Sequence, residues 1–242
     1  MIQIFIVFHK KIFDDCYKNI PNDVLYKYFT FIAVNKEIPK EYTPDKYKII
    51  NEYELPIYDD SFQKRGYNEN SAIYHIYANN LHKDYKYIGF FQYDMVFNDN
   101  IIDYVHEHLI IEEDKFLNND IYFSFCERDF YTCIGHGHDQ NTYYHIVKDY
   151  EKFFNITFDK DKLYPLYNSY IIPVNSYNKI MKWIVQLYNQ LYPWCVEYPN
   201  PTIFWYLGFI YERVMAFAIG NENLLKIHIN VDHVREYTHQ CY

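Results

Sequence analysis

The sequence is poor in glycine and lacks the glycine-rich signatures of several common enzyme classes. Only 6 of its 242 residues are glycine. It contains no GxSxG motif, no Walker A loop and no GxGxxG fingerprint. These motifs carry the chemistry of serine hydrolases, P-loop nucleotidases and dinucleotide-binding enzymes. Those three classes therefore have no support in the sequence.

Cysteine is also sparse, and its spacing argues against cysteine-based sites. No two cysteines form a CxxC pair, their number is odd, and they are widely spaced, at Cys16, Cys126, Cys133, Cys195 and Cys241. We therefore expect neither a disulfide framework nor a zinc site, and a reducing compartment fits this usage best.

Positive charge is scarce, and this bears on the kind of partner. The formal net charge is -9, whereas recognition of a phosphate backbone needs clustered lysine and arginine. We therefore expect no nucleic-acid partner. An acidic protein can still bind a nucleotide through a local basic pocket.

The sequence has no long apolar run free of charge. The longest apolar stretch, Ile203–Ile219, carries Glu212 and Arg213 in its middle, which favours a buried amphipathic helix over a membrane span. The chain enters a strand-like pattern directly after Met1, without the charged region of a signal peptide. The sequence thus predicts a cytoplasmic protein without a transmembrane segment.

What the sequence has in abundance is aromatic side chains and alternating secondary-structure patterns. Tyrosine alone accounts for 30 residues, which we attribute to an AT-rich genome, so no single tyrosine counts as a functional signal. Half of the residues are hydrophobic, enough for one core, and we expect a single domain over residues 1–242.

Apolar runs and helical periods alternate along the chain. The predicted strands are Ile2–Phe8, Phe29–Val34, a segment within Lys46–Pro56, Tyr87–Phe97, Ile121–Phe125, Tyr167–Pro173 and Leu224–Val231. The predicted helices are Pro21–Tyr28, Ser71–Leu81 with Asn68 or Asn70 as cap, a helix through Ile101 and Leu109, Ser176–Leu191, and one from Asn200–Pro201 to about Ile219. Residues Glu127–Tyr164 show little hydrophobic periodicity, and we therefore expect long loops there. The order predicts an α/β fold with a mostly parallel sheet.

The strand Tyr87–Phe97 ends on polar side chains. Alternation places Gln92 and Asp94 on the face that Ile88 and Phe90 share. Ligands of open α/β sheets bind beyond the carboxyl ends of the strands, and carboxylate and carbonyl oxygens suit Mg²⁺ or Mn²⁺. The alternative is that Asp94 only caps a turn.

Other polar residues follow neighbouring strand ends. His9 and Lys10 follow the first strand, Asn35 follows the second, and a polar loop contributes Lys64, Arg65, Asn68 and Glu69. These groups could converge on a nucleotide diphosphate, with the guanidinium of Arg65 donating a pair of hydrogen bonds to phosphate oxygens. The alternative is that the basic residues are ordinary solvated charges.

Five blocks of the sequence resemble a known family in their order. They are IVFHK, ENSAIYHIYAN, YIGFFQYDMVF, YNSYIIPVNSYNKIMKWI and LGFIYERVMAFAI. The chain resembles capsular-polysaccharide-type glycosyltransferases and the glycosyltransferase domains of large DNA viruses, including chloroviruses. The resemblance implies a GT-A-like α/β sandwich with helices on both faces of the sheet. If the protein is viral, its place would be the host cytoplasm.

The resemblance also implies an activity and its cofactor. The expected enzyme is a hexosyl- or deoxyhexosyltransferase that moves a sugar from a UDP-sugar to a hydroxyl of a glycan acceptor, with Mn²⁺ or Mg²⁺. Asp94 matches the aspartate of the metal-binding Asp-x-Asp motif, and Gln92 departs from that motif at its first position. His9, Lys10 and Asn35 match segments that lie against the nucleotide, and we assign Arg65, Asn68 and Gln92 to donor binding as well.

A late metal ligand is implied near the C-terminus, where His228 and His233 are candidates. His228 could equally be a core histidine. Glu212 is either the partner of a buried ion pair or a catalytic base or acceptor ligand. The Gly135–His138 loop with Asp139 could close over a ligand, or its glycines simply allow a turn. Two other functions remain open: a non-catalytic carbohydrate- or protein-binding module, and a nucleotidyltransferase.

Overall fold

The computed structural model describes residues 2–43, 45–64, 66–96, 101–105, 107, 121–135, 140–196, 206–229 and 232–233. Its strands are β1 Ile2–Phe8, β2 Phe29–Ala33, β3 Ile49–Asn51, β4 Tyr87–Gln92, β5 Met95–Val96, β6 Ile121–Ser124, β7 Glu127–Asp129, β8 Leu163–Pro165, β9 Tyr170–Pro173, β10 Leu225–His228 and β11 Asp232–His233. Its α-helices are α1 Asn22–Tyr28, α2 Ser61–Lys64, α3 Glu69–Ala78, α4 Phe130–Gly135, α5 Gln140–Phe154, α6 Val174–Val196 and α7 Tyr206–Asn221. Residues 101–105 are also helical, and two 3-10 turns cover Asp14–Tyr17 and Glu52–Glu54.

Seven strands form the central sheet in the order β10-β6-β9-β4-β1-β2-β3. Neighbouring strands are parallel except at β9, which runs antiparallel to both β4 and β6. The predicted α/β fold with a mostly parallel sheet is therefore confirmed.

The strands at the centre of the sheet are buried on both faces. All seven residues of β1 and all five of β2 are buried, which explains their continuous apolar sequences. Gly89 in β4 lets β9 approach closely, because a Cβ there would come within 2.9 Å of the Ile171 side chain. Strands that are buried on both faces form a rigid frame at the centre of the fold.

Helices cover both faces of the sheet, as predicted. On one face, helices α3 to α7 share a core with Ile88 and Phe90 of β4. On the other face, α1, the Asp14–Tyr17 turn and residues 101–105 share a core with Phe91 of β4. Within the described residues, no helix combines the length and apolar character that crossing a membrane requires.

The region Glu127–Tyr164 corrects the sequence analysis. It is not a set of long loops, because it contains β7, α4, α5 and the start of β8. The helix α5 buries Tyr143, Ile146, Val147 and Tyr150, which is a helical stripe. Two of these four residues are tyrosines, a residue type that the sequence analysis does not count as a signal.

Several boundaries also differ from the prediction. The third strand is only Ile49–Asn51 and turns directly into a 3-10 turn. Helix α3 begins at Glu69, with Asn68 at the cap position but without a capping side-chain hydrogen bond. The predicted start of the last helix at Asn200–Pro201 lies outside the described residues.

Candidate active site

Three strand ends meet at the carboxyl edge of the sheet. In the register of β1, Phe8 pairs with Ala33 of β2 and Val7 pairs with Gln92 of β4. The residues that follow these strands, His9, Asn35 and the turn at Asp94, therefore lie at one edge. This is the convergence that the sequence predicts.

His9 and Asn35 are in direct contact. The side-chain amide nitrogen of Asn35 lies 2.8 Å from Nδ1 of His9, and Asn35 adopts a left-handed backbone with φ of 58°. Burial, aided by the nearby charge of Lys40, lowers the pKa of His9 to about 4. The imidazole is therefore neutral at neutral pH. With Nδ1 accepting from Asn35, Nε2 carries the proton and can donate to a ligand.

Lys40 holds the loop that presents Asn35. Its ammonium donates to the backbone carbonyls of Asn35 at 2.7 Å and Ile38 at 3.1 Å, and also to that of Val34. Burial lowers the pKa of Lys40. The sequence analysis missed this role, since Lys40 stands among scattered surface charges and its acceptors are main-chain atoms.

Gln92 contacts an acidic residue from the first turn of α3. The Gln92 amide nitrogen lies 3.4 Å from Oε1 of Glu69. Burial raises the pKa of Glu69, and the negative charge of Asp94 raises it further. Asp94 is 2% exposed and lies in the turn between β4 and β5 rather than in a continuous strand. Gln92 thus lies between two carboxyl groups, Asp94 in the turn after β4 and Glu69 at the start of α3, which the sequence analysis places only in the polar loop.

These oxygen donors fit a divalent cation. Asp94, Gln92 and Glu69 offer the hard oxygen ligands that Mg²⁺ and Mn²⁺ prefer. Among the described residues, no group of three or more His, Cys, Asp or Glu side chains is arranged to hold a metal by itself. A cation at this place would therefore need further ligands from a substrate, such as diphosphate oxygens.

The two candidate histidines are placed very differently. His228 ends β10, the edge strand, and β6 and β9 separate it from β4, a distance of roughly 14 Å at ordinary strand spacing. Its Nδ1 lies 3.9 Å from Glu127 instead, so the topology does not bring it to Asp94. By contrast, β11 pairs with β5, and His233 is the register partner of Met95, the residue after Asp94. The side chain of His233 lies outside the described residues.

The architecture resembles that of solved glycosyltransferases. The WbbM bifunctional glycosyltransferase superposes with a TM-score of 0.61 at 12% identity, over 97% of this chain and 45% of that one. The chain therefore shares the fold of this glycosyltransferase. It spans less than half of the length of WbbM. A weaker likeness, with a TM-score of 0.37 and 14% identity, covers 94% of this chain and 84% of mouse xyloside xylosyltransferase 1.

Neither a protein-family model nor a curated protein sequence matches the chain. The assignment of the fold therefore rests on structural similarity and not on sequence similarity. The resemblance to viral domains stays a prediction.

Two basic residues that the sequence analysis expects near the diphosphate, Lys10 and Lys64, form ion pairs at the surface instead. Lys10 lies 3.3 Å from Glu41, with both side chains more than half exposed, and Lys64 pairs with Asp60 one helical turn away. These pairs agree with the alternative of ordinary solvated charges. Arg65, together with His136, His138 and Asp139, lies outside the described residues.

Asn68 lies against the start of α7. A Cβ added to Gly208 would come within 2.4 Å of the Asn68 amide nitrogen, and the Gly208 backbone N–H donates to the carbonyl of Gly66 at 3.0 Å. Asn68 itself has a left-handed backbone with φ of 54°. The polar loop before α3 is thus fixed by α7, far along the chain.

Glu212 and Arg213 form a buried pair on α7. Glu212 is 7% exposed and lies 3.3 Å from Arg213. The guanidinium of Arg213 also donates to the carbonyls of Cys133 at 2.7 Å and Phe209 at 3.0 Å, so Arg213 joins α7 to α4. Burial raises the pKa of Tyr167 and of Cys126, and the nearby charge of Glu212 raises both further. Glu212 therefore lies near the segment that leads into β9, on the site's edge of the sheet.

Proposed function

We propose that this chain is a nucleotide-sugar-dependent glycosyltransferase. It transfers a hexosyl or deoxyhexosyl group from a UDP-sugar to a hydroxyl of a glycan acceptor, with Mn²⁺ or Mg²⁺. The observation that carries this proposal is the convergence of the hydrogen-bonded His9–Asn35 pair with Gln92 and Asp94 at one sheet edge. The glycosyltransferase fold supports it.

His9 and Asn35 would bind the nucleotide. A neutral imidazole donates one hydrogen bond from Nε2 without repelling other donors, which suits an oxygen of the base or ribose. Because Lys40 fixes the Asn35 loop through main-chain acceptors, this contact is organised before the ligand arrives. Preorganisation of this kind reduces the loss of entropy on binding.

Asp94 would hold the cation, with Gln92 and Glu69 beside it. A bound divalent cation would supply electrostatic stabilisation of the departing nucleoside diphosphate. The amide of Gln92 would replace the first acid of the Asp-x-Asp motif, and Glu69 would bring the second carboxyl group from α3. The raised pKa of Glu69 indicates that a positive charge at this position would be stabilising.

Glu212 would act on the acceptor. As a buried carboxylate near Tyr167, it could accept the proton of the attacking hydroxyl or orient that hydroxyl by a hydrogen bond. Its pairing with Arg213 is the structural alternative. Replacing Glu212 with glutamine removes both the base and the charge that pairs with Arg213, so a loss of turnover with unchanged stability would indicate the catalytic role, and a loss of stability the structural one.

Turnover of a donor panel tests the proposal. The protein is incubated with UDP- and GDP-sugars and Mn²⁺, and release of the nucleoside diphosphate is measured, with and without oligosaccharide acceptors. A glycosyltransferase releases the diphosphate, commonly faster with a suitable acceptor. Binding without release would instead indicate a non-catalytic module, and pyrophosphate formation from a nucleoside triphosphate and a sugar phosphate would indicate a nucleotidyltransferase.

A further inference from the structure

Asn168 differs from the other buried amide side chains in the described part of the chain. Gln3, Asn70 and Asn221 are also buried, and the amide of each donates to a backbone carbonyl. Asn168 is 3% exposed, yet neither its Oδ1 nor its Nδ2 has a hydrogen-bond partner among the described residues. A buried amide without partners is unfavourable and rare. Packing alone therefore does not account for it.

The backbone at this position is unusual as well. Tyr167 and Asn168 are consecutive left-handed residues, with φ of 59° and 45°. Non-glycine residues seldom adopt this conformation, and such strain is concentrated at ligand-binding sites. Two independent unfavourable features thus coincide at one residue.

The segment around Asn168 is fixed on both sides. The N–H of Leu166 donates to the carbonyl of Cys126 at 2.9 Å, and Tyr170 is the register partner of Ser124 in β6. The hydroxyl of Ser169 lies 2.8 Å from the sulfur of Met95, which follows Asp94 directly. Asn168 is therefore held between the end of β6 and the turn that carries Asp94.

A second polar group without a partner lies on the adjacent strand. Ser124 is fully buried, and its hydroxyl has no hydrogen-bond partner within the described structure. Its carbonyl already accepts from the N–H of Ile229 at 2.9 Å. The hydroxyl is thus the part of Ser124 that remains for a ligand, at the same edge of the sheet as Asp94.

We propose that Asn168 and Ser124 form the subsite for hydroxyl groups of the donor's sugar. This inference rests on the proposed function. An amide supplies two N–H donors and a carbonyl acceptor, and a hydroxyl both donates and accepts, so the two side chains match neighbouring hydroxyls on a sugar ring. The sugar is attached to the diphosphate, and β9 lies one strand spacing from β4, roughly 5 Å. A diphosphate at Asp94 therefore places its sugar next to Asn168.

The test compares binding of a nucleotide sugar with binding of its free nucleotide. Asn168→Gly removes the amide and tolerates the left-handed backbone, and Ser124→Ala removes only the hydroxyl. Asn80→Gly is the control, because Asn80 is exposed, also left-handed with φ of 57°, and lies before β4 at the opposite edge. Calorimetry gives the dissociation constants for UDP-glucose, UDP-galactose and GDP-mannose, and for UDP and GDP, with Mn²⁺ present.

In Asn168→Gly and Ser124→Ala, we expect the ratio of the two dissociation constants, nucleotide sugar over nucleotide, to rise about tenfold, as for one lost hydrogen bond. Asn80→Gly leaves the ratio unchanged. Asn168→Gly also melts at or above the wild-type temperature, because an unpartnered buried amide has been removed. An unchanged ratio with intact nucleotide binding overturns this inference alone, as does a lower melting temperature without a change in the ratio. A wild-type protein that binds none of these compounds overturns the proposed function, and this inference with it.

Discussion

The amide nitrogen of Asn35 lies 2.8 Å from Nδ1 of His9, which ties the end of β2 to the end of β1. Buried Glu52 is close enough to act on the same imidazole, where its charge partly opposes the lowering of the His9 pKa by burial and Lys40. Burial and Lys40 outweigh Glu52, so His9 is neutral and its Nε2 can donate a hydrogen bond to a ligand.

His9 makes stability depend on pH below neutrality. Its pKa is about 4 in the folded protein, compared with 6.5 for an ordinary histidine. As the pH falls, the unfolded chain takes up the proton first, so stability decreases between about pH 6.5 and pH 4. The total loss from this group is about 3 kcal/mol. Chemical denaturation at several pH values measures it.

His9→Gln is expected to flatten this pH dependence, because glutamine does not titrate. His145→Gln, at an exposed position on α5, serves as the control and should leave the slope as in the wild type. A His9→Gln protein with the full wild-type slope would show that the pH dependence comes from another group.

Buried Glu52 holds the segment after β3 against α3. Its carboxylate accepts from His75 at 2.8 Å, from Gln63 at 3.0 Å and from Ser71, and Nε2 of His75 accepts from the N–H of Asp59 at 2.9 Å. We expect His75→Ala to lower the free energy of unfolding by about 3 kcal/mol or more, because it leaves buried polar groups unpaired.

The exposed ion pair between Lys64 and Asp60 provides the comparison for urea denaturation. Lys64→Ala should leave the free energy of unfolding close to the wild-type value, because solvent screens an exposed ion pair. If His75→Ala and Lys64→Ala lower the free energy of unfolding by the same small amount, the buried network around Glu52 does not stabilise the fold.

Gly208 sets the contact between α7 and Asn68. In Gly208→Ala, the new Cβ would meet the Asn68 amide at 2.4 Å and the carbonyl of Gly66 at 3.1 Å. Asn68 must then move, so we expect a loss of stability of about 1–3 kcal/mol together with weaker nucleotide binding. Thermal unfolding and calorimetry with UDP measure the two effects.

Gly135→Ala is the matched control, since a Cβ at Gly135 meets no atom of the described residues within 4 Å. Gly135 is the last residue of the short helix α4, and alanine at this position is tolerated or mildly stabilising. Equal nucleotide affinity for Gly208→Ala and Gly135→Ala would contradict a role of the α7 contact in placing Asn68.

The central strands could be predicted from the sequence because parallel strands buried on both faces read as continuous apolar runs. Ile2–Phe8 is predicted and observed with the same bounds. The antiparallel direction of β9 could not be predicted, since a short apolar run has no direction. Helix α5 was missed because its buried stripe consists partly of tyrosine among polar residues.

The same contrast applies to the site. His9, Asn35 and Asp94 could be placed at one edge of the sheet, because His9 and Asn35 follow predicted strands, Asp94 lies near the end of a third, and strand ends meet at one edge. Glu69 could not be assigned, because its contact with Gln92 spans 23 residues and depends on how α3 packs. The strain at Tyr167 and Asn168 is a property of the backbone that residue types do not reveal.

Asp94 and Asp84 allow the most direct test of the central claim. They lie at opposite ends of β4, and Asp84 is exposed while Asp94 is buried. The measurement is calorimetric binding of UDP with and without Mn²⁺ to the wild-type protein, Asp94→Asn and Asp84→Asn. We predict that Mn²⁺ strengthens UDP binding to the wild type and to Asp84→Asn, and that Asp94→Asn binds at least about tenfold more weakly with Mn²⁺ present, as loss of a charged ligand implies. UDP binding by Asp94→Asn as tight as that of the wild type with Mn²⁺ would contradict the account.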